Sequence, residues 1–190
     1  MSEVAGFAGL GFRHITDLAA MDHLLFLVAL AAIYRGQEWR DAVWVVTAFT
    51  VGHSVTLALA GSGAVRLSTP VIEFLIPLTI VLTGVENIAV RDRAAAPWGR
   101  RYRPLLAGGF GLVHGAGFAN YLQDLFDGPI VLPLLGFNLG IEVGQLLVLA
   151  GAAAALALVD RVLAPRARTV LVSAAVVVVA ARMAIERLPW

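Results

Sequence analysis

Long apolar blocks, separated by short segments that carry arginine, restrict the fold of this chain more than any other feature. Hydrophobic residues make up 59% of the 190 residues, and the mean hydropathy is +0.84. Soluble domains average about 45–50% apolar residues. Only 14% of the residues are charged, and they cluster between the apolar blocks. This pattern predicts an all-α, polytopic integral membrane protein that forms a single membrane domain over residues 1–190.

Six transmembrane helices are predicted, because a span requires about 20 apolar residues. Their approximate bounds are 18–34, 43–61, 71–90, 104–126, 133–159 and 169–188. Thr69 and Pro70 mark the start of the third helix, since threonine is a favoured N-cap and proline fits the first helical position. No basic segment precedes the first strongly apolar stretch, so we expect a retained helix there rather than a secretory signal.

The basic residues predict the orientation of these helices. All 14 are arginines, and ten of them follow the first, third and fifth predicted helices: Arg35, Arg40, Arg91, Arg93, Arg100, Arg101, Arg103, Arg161, Arg166 and Arg168. The other side of the membrane receives only Arg13, Arg66, Arg182 and Arg187. Cytoplasmic loops are enriched in basic residues. We therefore expect both termini on the non-cytoplasmic side of a multi-pass protein of the cell inner (plasma) membrane.

Several polar and ionisable residues fall inside or beside the predicted spans. An Asp at the centre of a membrane helix costs roughly 2.5–3.5 kcal/mol on insertion scales, so such groups pair, line a hydrated path or bind an ion. The chain has no cysteine, which excludes disulfides and thiolate ligands. Imidazole and carboxylate without sulfur suit Ni²⁺, Co²⁺ and Zn²⁺. The residues that this argument selects are Asp22, His23, His53, Glu86, His114, Asn138 and Glu142.

The stretch "GFNLGIEVGQLL" (136–147) combines two helical stripes. Asn138, Glu142 and Gln145 follow an i, i+4, i+7 spacing and share one face of the helix. Gly136, Gly140 and Gly144 form a second stripe, and a stripe of small residues allows a neighbouring transmembrane helix to pack closely. Close packing would bring the polar groups of facing helices within ligand distance.

Each of these residues also has a plainer interpretation. A single transmembrane histidine is more often a hydrogen-bonding residue between helices than a ligand, and Asn and Gln can act in the same way. Four helices that each offer a histidine or carboxylate near mid-depth favour an ion site. His14 precedes the first predicted span and is either a capture residue or a loop histidine, of which we favour the second. Arg182 and Glu186 are spaced to form an intrahelical pair.

Five segments together resemble the HupE/UreJ family, one segment for each of the first five predicted helices. They are "MDHLLFL" (21–27), "FTVGHSVTL" (49–57), "VIEFLIPLTIVLTGVENI" (71–88), "FGLVHGAGFA" (110–119) and "GFNLGIEVGQ" (136–145). The chain is most similar to the UreJ-like branch. The resemblance implies a nickel permease associated with hydrogenase or urease maturation, with cobalt as a second cargo. By motif position it points to His14, Asp22, His23, His53, Glu86, His114 and Glu142.

The function expected from these observations is a permease for a divalent metal ion, Ni²⁺ first and Co²⁺ or Zn²⁺ next. No enzyme activity and no tightly bound cofactor are expected; the partners are the metal ion and the bilayer, without nucleic acid, and a homo-oligomer is left open. Two alternatives remain: an integral-membrane metalloenzyme that uses the same His, Asp and Glu cluster, and a scaffold for a maturation partner. The sequence holds no HExxH motif, nucleophile elbow or Walker A motif.

Overall fold

The computed structural model describes residues 3–18, 21–34, 38–65, 68–90, 102–123 and 130–190. All regular structure in these residues is helical, which confirms the all-α prediction. The seven helices are α1 (Glu3–Thr16), α2 (Met21–Ala31), α3 (Trp39–Gly61), α4 (Thr69–Ala89), α5 (Tyr102–Gln123), α6 (Val131–Val159) and α7 (Pro165–Glu186).

Four of the helices are long and apolar enough to cross a membrane: α3, α4, α6 and α7. The pair α1 and α2 meets the same test as a single span bent by 69°. These helices present large apolar side chains to the exterior, such as Val51, Val55 and Leu59 of α3. The chain is therefore a multi-pass membrane protein. The predicted count of six spans is not reached by this test, because α5 has sufficient length but lower apolarity.

The first predicted helix, 18–34, differs most from the observed structure. Two helices replace it, and the region ahead of residue 18 forms α1 rather than a loop. Local sequence did not indicate α1 because three glycines lower its helix propensity: Gly6, Gly9 and Gly11. The packing of α1 along α6 stabilises the helix despite this low propensity. The predicted end of the fourth helix, 124–126, lies outside the described residues.

Glycine allows the backbones of two helix pairs to approach closely. Gly136 and Gly140 of α6 face the backbone of Val4 and Ala8 of α1, so α1 runs parallel to α6. In the same way α5 runs parallel to α3, where a Cβ added to Gly111 would lie 3.0 Å from the amide nitrogen of His53. The predicted close approach at the glycine stripe of residues 136–144 is confirmed.

One end of the helix bundle is held by arginines, and we call it the arginine-rich end. Arg103 of α5 pairs with Glu86 of α4. Arg168 of α7 is buried, binds Asp160 at 2.6 Å and donates to the carbonyl of Ala32. These contacts join the last turns of α2 and α4 to the first turns of α5 and α7. The predicted loop residues Arg35, Arg66, Arg91, Arg93, Arg100 and Arg101 lie outside the described residues.

Candidate metal centre

Four histidines, one from each of four helices, converge near the bend between α1 and α2. His14 lies in the last turn of α1 and His23 in the first turn of α2, and their ring centroids are 4.6 Å apart. His53 of α3 lies 5.9 Å from His14 and 6.1 Å from His23. His114 of α5 lies 5.2 Å from His23. These four residues are the histidine cluster.

Three rings of the cluster are buried and His14 is half-buried, and most of the ring nitrogens have no hydrogen-bond partner among the described residues. His23, His53 and His114 are 6%, 0% and 1% exposed. Six of the eight ring nitrogens are buried and have no hydrogen-bond partner in the described part of the chain: Nε2 of His14, both nitrogens of His23, both of His53, and Nδ1 of His114. Buried polar groups are almost always satisfied, and an unsatisfied one costs about 1–3 kcal/mol. Six together indicate a site kept for a ligand.

The spacing of three of the rings suits a shared cation. One ligand nitrogen each from His14, His23 and His53 can be chosen so that all lie within 4.8 Å of one another. Two nitrogens bound to one tetrahedral Zn²⁺ at about 2.0–2.1 Å are roughly 3.4 Å apart. The three nitrogens are therefore close to one another, and the rings would have to move closer together to bind one ion. Neutral imidazole is the commonest protein ligand of transition metals.

His114 has a hydrogen-bond partner among the described residues. Its Nε2 lies 2.9 Å from the hydroxyl oxygen of Thr79 on α4. That hydroxyl also donates to the carbonyl oxygen of Ile76 at 2.7 Å. Thr79 is a residue that the sequence analysis did not select, because a lone threonine inside a span is most simply a helix back-bonding residue.

Glycines place His53 and His114 on neighbouring helices at the same depth. Gly111 and Gly115 of α5 lie against the backbone of Phe49 and His53, and any Cβ there would meet main-chain atoms. Without these glycines α3 and α5 would have to separate by the width of a side chain. The backbone contact is therefore what brings the two histidines into one cluster.

Phenylalanines surround the cluster on both sides along the bundle. Phe118 and Phe137 stack with centroids 5.0 Å apart and planes within 6°, and both contact His14. Phe26 and Phe49 pack at 4.8 Å and both contact His114. We call these the 118/137 pair and the 26/49 pair. Their rings replace water around the imidazoles.

The predicted carboxylates do not point into the cluster. Asp22 accepts from Arg187 at 3.2 Å, and Glu86 pairs with Arg103 at the arginine-rich end. Glu142 of α6 accepts a 2.7 Å hydrogen bond from Thr47 of α3. Gln145 accepts from Thr50 in the same way, at 2.8 Å. These contacts agree with the plainer interpretation of polar residues between membrane helices.

The remaining predicted residues have varied surroundings. His14, which we interpreted as a loop histidine, lies instead in a helix and inside the cluster, so that interpretation is wrong. Asn138 keeps a buried Oδ1 that has no hydrogen-bond partner among the described residues. Arg182 and Glu186 form the expected i, i+4 pair at 2.7 Å, with both side chains largely exposed.

Comparison with known proteins agrees with this architecture. No curated protein and no solved structure matches the chain significantly. The model of one protein family, described as "HupE / UreJ protein", matches residues 1–187 and so covers essentially the whole chain. With its apolar helices and its buried histidine cluster, this chain belongs to the HupE/UreJ family.

Proposed function

We propose that the protein is a membrane permease for a divalent transition-metal ion, Ni²⁺ first, and that it supplies metal for hydrogenase or urease maturation. The observation that carries this proposal is the set of six buried imidazole nitrogens without a hydrogen-bond partner in the described part of the chain. They lie beside the bend of a span, and interrupted helices are where many transporters bind their cargo.

The chemistry of the cluster favours a borderline divalent cation as cargo. Nitrogen ligands without sulfur suit Ni²⁺, Co²⁺ and Zn²⁺, and are poor ligands for Ca²⁺ or Mg²⁺, which require oxygen. Uncharged imidazoles also avoid the large cost of burying a carboxylate in the membrane. The ion is a transported substrate in this proposal, and we assign no resident cofactor.

Two features near the cluster support passage rather than storage. Toward the arginine-rich end, a cavity lies beyond the 26/49 pair and is lined by side chains that include Thr83, Glu86 and Arg103. In the other direction Asp22 lies in the first turn of α2, directly before His23. An ion leaving the cluster toward the cytoplasm would enter the cavity, where Glu86 offers a carboxylate once Arg103 moves.

The proposal is tested by Ni²⁺ uptake into liposomes that contain the purified protein. We expect His53→Ala to reduce the initial rate at least 10-fold, because His53 is fully buried and both of its ring nitrogens lack partners in the described residues. Arg182→Ala is the matched control, since it removes only an exposed pair. Equal uptake by the wild type and His53→Ala would overturn the proposal.

A second measurement separates transport from a metalloenzyme. A permease must release its ion, so extended dialysis against a chelator is expected to remove the metal and leave a protein that rebinds it reversibly. Stoichiometric metal that survives dialysis, together with absent uptake, would contradict the permease function.

A further inference from the structure

The hydroxyl of Thr79 determines which nitrogen of His114 can bind a metal. This hydroxyl has one hydrogen and lies 2.7 Å from the carbonyl oxygen of Ile76, which can only accept. When the hydroxyl donates to that carbonyl, its oxygen accepts at the 2.9 Å contact with His114, and Nε2 carries the proton. Neutral His114 then has its free lone pair on Nδ1, which is buried and has no hydrogen-bond partner among the described residues.

We propose that Thr79 is a positioning residue that makes Nδ1 of His114 the fourth nitrogen ligand, beside His14, His23 and His53. This assignment rests on the proposed metal binding. His114 is not among the three histidines whose nitrogens lie within 4.8 Å of one another, but its ring centroid is 5.2 Å from that of His23, so it borders that group. Partners that orient a metal-binding histidine are typically worth 10–100-fold in metal affinity.

The test compares Thr79→Val, which has the same shape without the hydroxyl, with Thr79→Ser, which retains it. Ni²⁺ affinity is measured by competition with a chelator, and X-ray absorption counts the imidazole ligands. We expect Thr79→Val to weaken binding 10–100-fold and lose one imidazole, and Thr79→Ser to restore both. In a His114→Ala background, Thr79→Val should have no further effect.

Three outcomes separate this assignment from the proposed function. If Thr79→Val binds Ni²⁺ with the affinity and the number of imidazole ligands of the wild type, the role of Thr79 is overturned and the permease function is not affected. A wild-type protein that binds Ni²⁺ with four imidazoles but does not transport it would overturn the permease function and leave this assignment standing. A wild-type protein that binds no Ni²⁺ would overturn both.

An independent observation concerns the architecture: two helix pairs pack in the same way. A Cβ added to Gly11 of α1 would meet the carbonyl of Phe137 and lie 3.1 Å from the amide nitrogen of Ile141. A Cβ added to Gly111 of α5 would meet the carbonyl of Phe49 and lie 3.0 Å from the amide nitrogen of His53. The pair α1–α6 therefore corresponds to the pair α5–α3.

The reciprocal contacts confirm the correspondence. Gly140 of α6 meets the backbone of Ala8 and Phe12, and Gly52 of α3 meets that of Gly108 and Leu112. Residue numbers thus differ by 100 between α1 and α5, and by 88 between α3 and α6. The sequences agree, with "GLGFRH" (9–14) matching "GFGLVH" (109–114), so that His14 corresponds to His114.

The corresponding helices run in opposite directions. Ile76, Thr79 and Glu86 of α4 meet Gly117, His114 and Arg103 of α5 in turn, so α4 and α5 are antiparallel. Gly84 and Asn87 of α4 likewise meet successively earlier residues of α7, so α7 runs parallel to α5. The short connection from α6 to α7 makes α6 opposite to α7 and therefore opposite to α3. A rotation axis that relates the pair α1–α6 to the pair α5–α3 must therefore lie perpendicular to the helices.

One phenylalanine of each pair obeys the same relation. Phe137 lies 5.7 Å from His14, and its counterpart Phe49 lies 5.0 Å from His114. Phe49 precedes His53 by one turn on the side of the arginine-rich end, whereas Phe137 lies near the start of α6 at the other end. Phe49 of α3 therefore encloses the cluster toward the arginine-rich end, and Phe137 of α6 encloses it from the other end.

We infer that α1–α4 and α5–α7 are inverted repeats that exchange conformations, with the 118/137 pair and the 26/49 pair as alternating gates. Inverted repeats with a binding site at their interface are a common basis of alternating access. Both pairs are packed here, so this structure is the occluded state. This inference extends the proposed function from passage of an ion to the order in which its two sides open.

Single-cysteine labelling tests this inference, because the chain has no cysteine of its own. Thr83→Cys reports on the cavity beyond the 26/49 pair. Leu134→Cys reports on the other side, one turn before Phe137 on α6. A water-soluble thiol reagent is applied to the purified protein, and the labelling rates are compared.

Each gate is then weakened in turn, and the two variants are each other's controls. We expect Phe49→Ala to raise labelling of Thr83→Cys several-fold and to lower that of Leu134→Cys. Phe137→Ala should do the reverse. Phe→Leu at the same positions gives smaller shifts of the same sign and covers the case of an alanine variant that fails to fold. Labelling rates that rise together, or change at one cysteine only, would overturn alternating gates and favour a channel.

Discussion

The histidines and the carboxylates of this protein were selected by the same argument, yet the fold treats them in opposite ways. The four histidines converge, and most of their ring nitrogens have no partner within the described residues. Asp22, Glu86 and Asp160 each pair with an arginine that lies far away in sequence or on another helix. Glu142 is satisfied by a threonine.

The difference follows from charge. A buried carboxylate is costly until it has a cation or donors, so each one is used to fasten helices together. An imidazole can be buried neutral, and its lone pair then remains available to a metal ion. The histidines therefore keep nitrogens that are unpartnered among the described residues, on which the proposed ion site rests, whereas the carboxylates join helices.

The largest expected effect comes from removing an unpartnered imidazole. His23→Ala is expected to weaken Ni²⁺ binding at least about 100-fold, because it removes a proposed ligand at the centre of the cluster, within 4.6–6.1 Å of the other three rings. Calorimetric titration of the purified protein measures the change. A loss of affinity of less than threefold would place the metal outside the histidine cluster and contradict the difference between histidines and carboxylates.

An intermediate effect is expected from separating the helices that carry the cluster. Gly111→Ala places a Cβ against the backbone of α3, which we expect to cost about 1–3 kcal/mol as overpacking and to weaken Ni²⁺ binding about 10-fold. Gly109→Ala is the matched control two residues earlier, where an added Cβ meets nothing within 4 Å. Thermal unfolding and Ni²⁺ titration report both quantities. Similar values for the two variants would show that close backbone packing does not assemble the cluster.

The smallest effect is expected from changing Glu142, the predicted carboxylate on α6. Glu142→Gln keeps an oxygen that can accept from Thr47, so Ni²⁺ affinity should change less than threefold and the melting temperature should hardly change. Ni²⁺ titration and thermal unfolding measure this. A loss of 10-fold or more would identify Glu142 as a ligand and remove the division between the two residue types.

Individual residues show where sequence reasoning succeeded. His53 and His114 were selected by the cost of burying polar groups in a membrane, and both are buried beside other histidines. The glycines of α6 were expected to admit a neighbouring backbone, and they do, although the neighbour is α1, which was not predicted as a helix. Arg168 was assigned only to setting the orientation in the membrane. In the structure it is buried and donates a hydrogen bond to the carbonyl oxygen of Ala32, just after α2.

The sequence by itself determined the helical, membrane-spanning character of the chain and the residue types available to a metal. Those properties depend on local hydrogen bonds and on the transfer of side chains into lipid, and both can be judged from neighbouring residues. Only the tertiary structure decided that His14 joins His23, His53 and His114, and that Asp22 joins Arg187. Such pairings arise between residues on different helices, separated by nine positions for His14 and His23 and by 165 for Asp22 and Arg187, where helix packing rather than local preference selects the partner.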